Sequence, residues 1–214
     1  MRAIIFSGGV YGDVEHCREY LDGADLVIAA DGGGMVLSRL EVTPDVVIGD
    51  MDSICKGSLR SFEESGVEII TRPPEKDYTD TELAFDLAIE RGASEIIILG
   101  ALGERMDHAL ANLSLLVKGR DKGITTRIID ERQELLILTP KIKNKLGGKP
   151  GDTISLISLS EKTEKVTTND LKYPLSDGTL SLLSPLGVSN EISGPDPWVS
   201  YGTGKLLLVV VKKV

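Results

Sequence analysis

Apolar and polar residues follow two different rhythms along the chain. Over residues 1–132, apolar runs of strand length at 2–9, 25–31, 46–48, 67–70, 95–100 and 125–130 alternate with stretches of helical spacing at 14–21, 35–40, 57–65, from 80 onward and from 106 onward. The helix after residue 79 has Thr79 or Asp80 available as its cap and is expected to bury Leu83, Leu87 and Ala88. The next carries Met106, Leu110, Leu113 and Val117 at spacings of four, three and four, which predicts a core-facing stripe. Such alternation predicts a parallel sheet with right-handed crossovers, a Rossmann-like α/β domain over residues 1–132. Beyond Arg132 the helical spacing disappears. Residues 135–138, 153–159, 180–183 and 206–211 are strand-like, with turn signals between them at Gly147-Gly148, Pro150-Gly151-Asp152, Asp177-Gly178 and Gly202-Thr203-Gly204. Asp177-Gly178 has the composition of a hairpin turn. Residues 133–214 are therefore expected to form an all-β sandwich.

Composition narrows the function classes. Residues 1–132 carry 14 Lys+Arg against 25 Asp+Glu, a net −11, whereas residues 133–214 carry 10 against 8, a net +2. An acidic chain without a basic stripe argues against a nucleic-acid partner. Acid concentrated in one half fits a divalent-metal site, as it also fits solvated helix faces. Cys17 and Cys55 make neither a CxxC pair nor a disulfide framework. No basic segment leads into a long apolar one at the start, and the longest apolar run, 206–211, is strand-sized. The expectation is a cytoplasmic protein without a membrane span.

Candidate chemistry collects where the strands end. The run Val46-Val47-Ile48-Gly49 leads into Asp50-Met51-Asp52. In extended backbone these two carboxylates point to one side. They repel unless a cation lies between them, and hard oxygen ligands suit Mg²⁺. The plainer alternative is an acidic loop that caps the next helix. Asp31 precedes Gly32-Gly33-Gly34, more glycine than a turn requires, which suggests a ligand passing close to the main chain. Ser7-Gly8-Gly9 either offers backbone N–H groups to a phosphate or is a plain turn. After Pro73-Pro74, Asp80 is accounted for as a helix cap, but Lys76 and Asp77 are not. The turn Gly100-Ala101-Leu102-Gly103, followed by Arg105, Asp107 and His108 at a helix start, has the makings of a phosphate site. His108 reads equally well as a surface histidine. Ligands of parallel sheets bind beyond the carboxyl ends of the strands. Asp31, Asp50, Asp52, Asp77, Asp80, Arg105 and Asp107 would thus share one sheet edge.

Read in order, several segments resemble the thiamine pyrophosphokinase family. They are Asp31-Gly32-Gly33, Gly49-Asp50-Met51-Asp52-Ser53, Lys76-Asp77-Tyr78-Thr79-Asp80-Thr81-Glu82, and Gly103-Glu104-Arg105-Met106-Asp107-His108 with Asn112. Leu171-Lys172-Tyr173-Pro174-Leu175 and Gly187-Val188-Ser189-Asn190-Glu191 resemble that family's vitamin-binding half. The resemblance implies a homodimer that transfers pyrophosphate from ATP to the hydroxyethyl group of thiamine, giving thiamine diphosphate and AMP, with thiamine held where two subunits meet. It implies Asp50, Asp52 and Asp80 as Mg²⁺ carboxylates and Asp31 and Asp77 as further members of the acidic cluster. Ser7, Gly8, Lys76, the Gly100–Gly103 turn with Leu102, Arg105 and His108 fall on the ATP side. Asp31, Asp107, Ser189 and Asn190 fall on the thiamine side. Two departures stand out. Eukaryotic members stack thiamine on a tryptophan of the last strand, where this chain has Leu208 or a neighbour, and Trp198 lies before that strand. Asp170 stands where glycine is usual. The acidic cluster also permits a Mg²⁺-dependent phosphohydrolase acting on a phosphorylated small molecule. A receiver-like domain would want an acidic pair after the first strand and a lysine after the fifth, where this chain has Ser7-Gly8-Gly9 and Gly100-Ala101.

Overall fold

In the first of two units, Met1–Glu131, the apolar runs become parallel strands. The computed structural model describes every residue except Pro74, Lys76, Glu104, Leu183 and Val214. In chain order the unit comprises β1 (Arg2–Phe6), a 3-10 turn (Val14–Cys17), α1 (Arg18–Leu21), β2 (Leu26–Ala30), α2 (Gly33–Arg39), β3 (Val46–Gly49) and α3 (Lys56–Glu64). It continues with β4 (Glu68–Thr71), α4 (Asp80–Glu90), β5 (Glu95–Leu99), α5 (Met106–Asp121) and β6 (Thr125–Ile129). Across the sheet the order is β6-β5-β1-β2-β3-β4, each pairing parallel. The chain adds strands first to one side of β1 and then to the other. The order therefore reverses between β1 and β5, the position at which open α/β sheets bind ligands. Both faces of β1, β2, β3 and β5 are buried, which is why they read as unbroken apolar runs, whereas the edge strand β4 is only half-buried. On one face Phe6, Ala29, Val47 and Leu99 pack with Val36 and Leu37 of α2 and Phe62 of α3. On α4, which touches β1, β2 and β3, Ala84, Phe85 and Ala88 are buried.

The helices turn different faces inward from those their spacing suggested. In α5 the buried residues are Asn112, Leu115, Leu116 and Gly119. Met106 and Leu110 remain 68% and 59% exposed, with Leu113 and Val117 half-buried. Both sets have helical spacing, and contact with the sheet decides between them. In α4, Ala88 is buried as expected, but Leu83 and Leu87 are half-buried and Thr81, Ala84 and Phe85 take their place. Helix α2 begins at Gly33, earlier than the apolar spacing indicated. A Cβ at Gly33 would lie 1.9 Å from the Phe6 carbonyl oxygen, and one at Gly34 would lie 2.6 Å from Ile54 Cδ1. These two glycines serve helix packing, not the approach of a ligand.

The second unit, Arg132–Val214, is all β. Its strands are β7 (Gln133–Ile137), β8 (Asn144–Lys145), β9 (Thr153–Ser158), β10 (Lys162–Asn169), β11 (Gly178–Ser181), β12 (Asn190–Glu191), β13 (Trp198–Ser200) and β14 (Leu206–Val211). They pair antiparallel in the orders β12-β9-β14-β7 and β11-β10-β13-β8. Leu156, Leu206, Leu208 and Val210 from the first layer meet Val166, Leu180 and Val199 from the second, the core of a sandwich. Strand β10 is polar in sequence, and a register shift between Thr163 and Val166, with Lys165 at φ 57°, interrupts its alternation. Asp177-Gly178 is not a two-residue hairpin: residues 170–177 connect β10 to β11, and Gly178 opens the latter. Among the described residues no helix is long and apolar enough to cross a membrane.

Candidate active site

The carboxyl end of β3 is built around Gly49. At φ 153° it has no room for a side chain, since a Cβ there would lie 2.8 Å from Asp31 Cβ and 3.0 Å from Asp80 Oδ1. The backbone then bends, with Met51 in the left-handed region at φ 65°. Asp50 and Asp52 are therefore not aligned by extended backbone as expected. They converge through a turn in which the Asp52 N–H donates to Asp50 Oδ1 at 3.3 Å. Asp31 reaches the same turn from the end of β2. Its N–H donates to the Ile48 carbonyl, and its carboxylate accepts from the Ser53 N–H at 3.4 Å. Asp31, Asp50 and Asp52 each present an oxygen within 4.8 Å of the others. This set of hard oxygens, gathered in a cradle that a Cβ at Gly49 would fill, fits Mg²⁺. Burial raises the Asp31 pKa above the ordinary carboxylate value; the Ser53 donors oppose this, and the charges of Asp50 and Asp80 add to it. Thr79, not Asp80, caps α4, its Oγ1 accepting from the Glu82 N–H at 3.2 Å. Capping thus leaves Asp80, the first residue of the helix, unexplained.

A cleft of about 610 Å³ opens beside these groups. Asp31, Asp80, Ser7, Gly8, Gly9, Gly100, Gly103, Arg105 and His108 all line it. Small hydroxyl and amide side chains brace it. Ser7 Oγ and Thr81 Oγ1 share a buried hydrogen bond of 2.6 Å, and Asn112 Nδ2 donates to the Ala101 carbonyl at 2.8 Å. Exposed Arg105 and Asp107 pair with each other, Nη2 to Oδ2 at 2.5 Å. The Arg105 hydrogen bond holds Asp107 down at about 2. Leu102 and Asp77 do not line the cleft, and Lys76 lies outside the described residues. Tyr78 and Thr81 also line the cleft; both stand in the Lys76–Glu82 motif, where neither had been given a role of its own. Its burial sets Thr81 apart from the acidic residues on either side of it, Asp80 and Glu82, and that burial is not a local signal.

In the β unit the two motif segments lock together. The Asn190 side chain accepts from the Tyr173 N–H at 3.0 Å and donates to the Tyr173 carbonyl at 2.7 Å. Ser189 sits at φ 60°, its N–H donating to Ser155 Oγ at 3.1 Å. Leu208 is 1% exposed within the sandwich core, so it presents no face to a ligand. Trp198 lies on β13 with Lys143 Nζ 4.4 Å from its ring centroid.

Comparisons with known proteins agree over nearly the whole chain. Residues 17–128 match the model for the thiamin pyrophosphokinase catalytic domain, and residues 139–206 match the thiamin pyrophosphokinase vitamin B1 binding domain. The chain is 32% identical over 205 residues to a thiamine pyrophosphokinase of Bacillus subtilis, covering 96% of each protein. It is 29% identical over 189 residues to thiamine pyrophosphokinase 1 of Arabidopsis thaliana, covering 82% of this chain and 68% of that protein. A crystal structure of the Bacillus subtilis thiamine pyrophosphokinase superposes with a TM-score of 0.90 at 30% identity, each chain fully covered. One from Geobacillus thermodenitrificans does so with a TM-score of 0.83 at 27% identity, covering 100% of this chain and 98% of that one.

Proposed function

We propose how the acidic cleft works from one premise: the chain belongs to the thiamin pyrophosphokinase family, and it makes thiamine diphosphate from thiamine and ATP. The match to a vitamin-binding domain over residues 139–206 favours this two-substrate enzyme over a phosphohydrolase. The observation that carries the reading is the convergence of Asp31, Asp50 and Asp52 next to a cleft at the β1–β5 switch point.

The ATP phosphates run along the Ser7–Gly9 and Gly100–Gly103 turns, where glycines let them approach the main chain; the Ser7 and Gly9 N–H groups are held by the Leu99 and Gly100 carbonyls. Arg105 leaves Asp107 to pair with a phosphate, with His108 beside it, and the family resemblance assigns Lys76 to the ATP side as well. Mg²⁺ takes one or two carboxylates beside phosphate and water ligands. Asp50 and Asp52 would accordingly hold it, with Asp31 beside them and Asp80 as the third carboxylate that the resemblance implies. Bound Mg²⁺ offsets the charge on the transferred phosphoryl oxygens. The hydroxyethyl oxygen of thiamine attacks the β-phosphorus. The bond from that phosphorus to the α-phosphate oxygen breaks, and AMP leaves with that oxygen. The hydroxyl proton passes to Asp31, the carboxylate whose burial raises its proton affinity. Asp77, away from the cleft lining, has no step in this scheme. Positioning and electrostatics supply most of the rate, as in other phosphoryl transfers.

Ser189 and Asp107 contact thiamine, and Asn190 acts through the Tyr173 backbone that it holds. The assembly is a homodimer in which a second copy completes the thiamine site. The exposed Met106 and Leu110 on α5 support this by offering an apolar surface to cover. The setting is cytoplasmic, where ATP is maintained, and a net charge of −9 argues against nucleic acid as a partner.

One assay tests the reaction. With Mg²⁺ and ATP, the protein should release AMP and thiamine diphosphate in equal amounts, only when thiamine is present. ADP with thiamine monophosphate would mean a simple kinase, and phosphate release without thiamine a hydrolase. Asp52→Asn should lower turnover by orders of magnitude. A near-normal rate with unchanged Mg²⁺ dependence would remove Asp52 from the metal site.

A further inference from the structure

Tyr11 belongs to none of the motifs above, yet it lies directly beneath the cleft. Its ring stacks on Phe6, with centroids 6.4 Å apart and planes 13° from parallel. Its hydroxyl lies 2.9 Å from the Ser7 carbonyl oxygen and 3.0 Å from that of Leu99. β1 and β5 stay in register to Phe6 and Leu99, where both strands end. Two backbone bonds continue across the gap, Ser7 N–H to the Leu99 carbonyl at 2.9 Å and Gly9 N–H to the Gly100 carbonyl at 3.0 Å. The ring also fills the space beside Gly100, where a Cβ would lie 2.2 Å from a ring carbon. Tyr11 does not line the cleft, but Ser7, Gly9 and Gly100 do. Strands that separate to admit a ligand leave carbonyl groups without ladder partners, and buried carbonyls need donors. Here the phenolic O–H supplies the Ser7 carbonyl and is shared with the Leu99 carbonyl, which also accepts from the Ser7 N–H. Burial lifts the phenol well above its ordinary pKa, so it stays a proton donor.

We propose that Tyr11 is a positioning residue for the nucleotide: by bridging the Ser7 and Leu99 carbonyls and wedging its ring against Gly100, it fixes the separation of the two glycine turns that line the cleft. The proposal rests on the reading of that cleft as the ATP site.

Tyr11→Phe keeps the ring and removes the donor. The KM for ATP should rise roughly fivefold, the scale of one buried hydrogen bond, while kcat and the KM for thiamine change by less than about twofold. The Gly9 amide, bonded to Gly100, should exchange with solvent faster by a similar factor when followed by NMR. Tyr11→Leu, which also removes the flat wedge, should raise the KM for ATP further. An unchanged KM for ATP with unchanged Gly9 exchange overturns the proposal. So does a variant in which kcat, both KM values and Tm all worsen together, since that describes general destabilisation. Should the unmodified protein neither bind nor consume ATP, the assignment of the cleft fails on its own account. Faster Gly9 exchange in Tyr11→Phe would still uphold the bridge in that case, and unchanged exchange would overturn it.

Discussion

Asp31 combines three unfavourable conditions in one residue. It is buried, it sits at φ 41°, and it faces the charges of Asp50 and Asp80. Its folded pKa therefore exceeds its unfolded one. The ionised group subtracts stability at neutral pH, and the loss fades as pH falls through the folded pKa and the carboxyl takes a proton. Asparagine tolerates the left-handed backbone and keeps an acceptor for the Ser53 N–H. In chelator, Asp31→Asn should melt roughly 2–4 °C higher at neutral pH, which is about 1 kcal/mol for a protein of this size. The gain should shrink as the buffer is acidified, and turnover should fall by orders of magnitude. Calorimetry across a pH series checks this, and a lower Tm at neutral pH would refute the repulsion argument. The same backbone region explains Asp170, which stands where the family usually has glycine. Its φ is 53°, which aspartate accepts more readily than most residues, and its carboxylate accepts from the Asp196 N–H at 2.8 Å.

Among the elements, α4 does most to shape the site. Its first turn carries Asp80 toward Asp31 and Gly49 and Thr81 into contact with Ser7. Thr79 fixes where that turn begins. Thr79→Ala should lower stability by about 1 kcal/mol, the usual worth of an N-cap. Urea denaturation with an unchanged slope would measure it, and a loss below about 0.3 kcal/mol would mean that the helix start is held by other contacts. Periodicity makes both α4 and α5 legible as helices, because i to i+3 and i+4 spacing is local. It does not orient them. Leu110 and Leu115 differ little as sequence signals, and only the sheet buries one and leaves the other exposed.

At the scale of the whole molecule, the dimer carries its own prediction. If a second copy completes each thiamine site, an inactive Asp52→Asn chain mixed with a Ser189→Ala chain should recover activity after subunit exchange. Each mixed dimer would then hold one site with neither substitution. Light scattering that finds a monomer at micromolar concentration, or mixing that restores nothing, would refute the shared site. The sequence alone determined the alternation of strands and helices in the first unit, the β character of the second, and the acids that follow strand ends. Each of these is written in neighbouring residues, through side-chain period and strand length. Order in the motifs carried the family as well. The tertiary structure alone decided that Asp50 and Asp52 meet through a left-handed turn at Met51, and that Arg105 and Asp107 neutralise each other. It also decided that Leu208 is core, and that Tyr11 spans 88 positions to reach Leu99. The last two depend on which strand lies beside which, and the first two on backbone and rotamer choices set by their surroundings, so side-chain period encodes none of them.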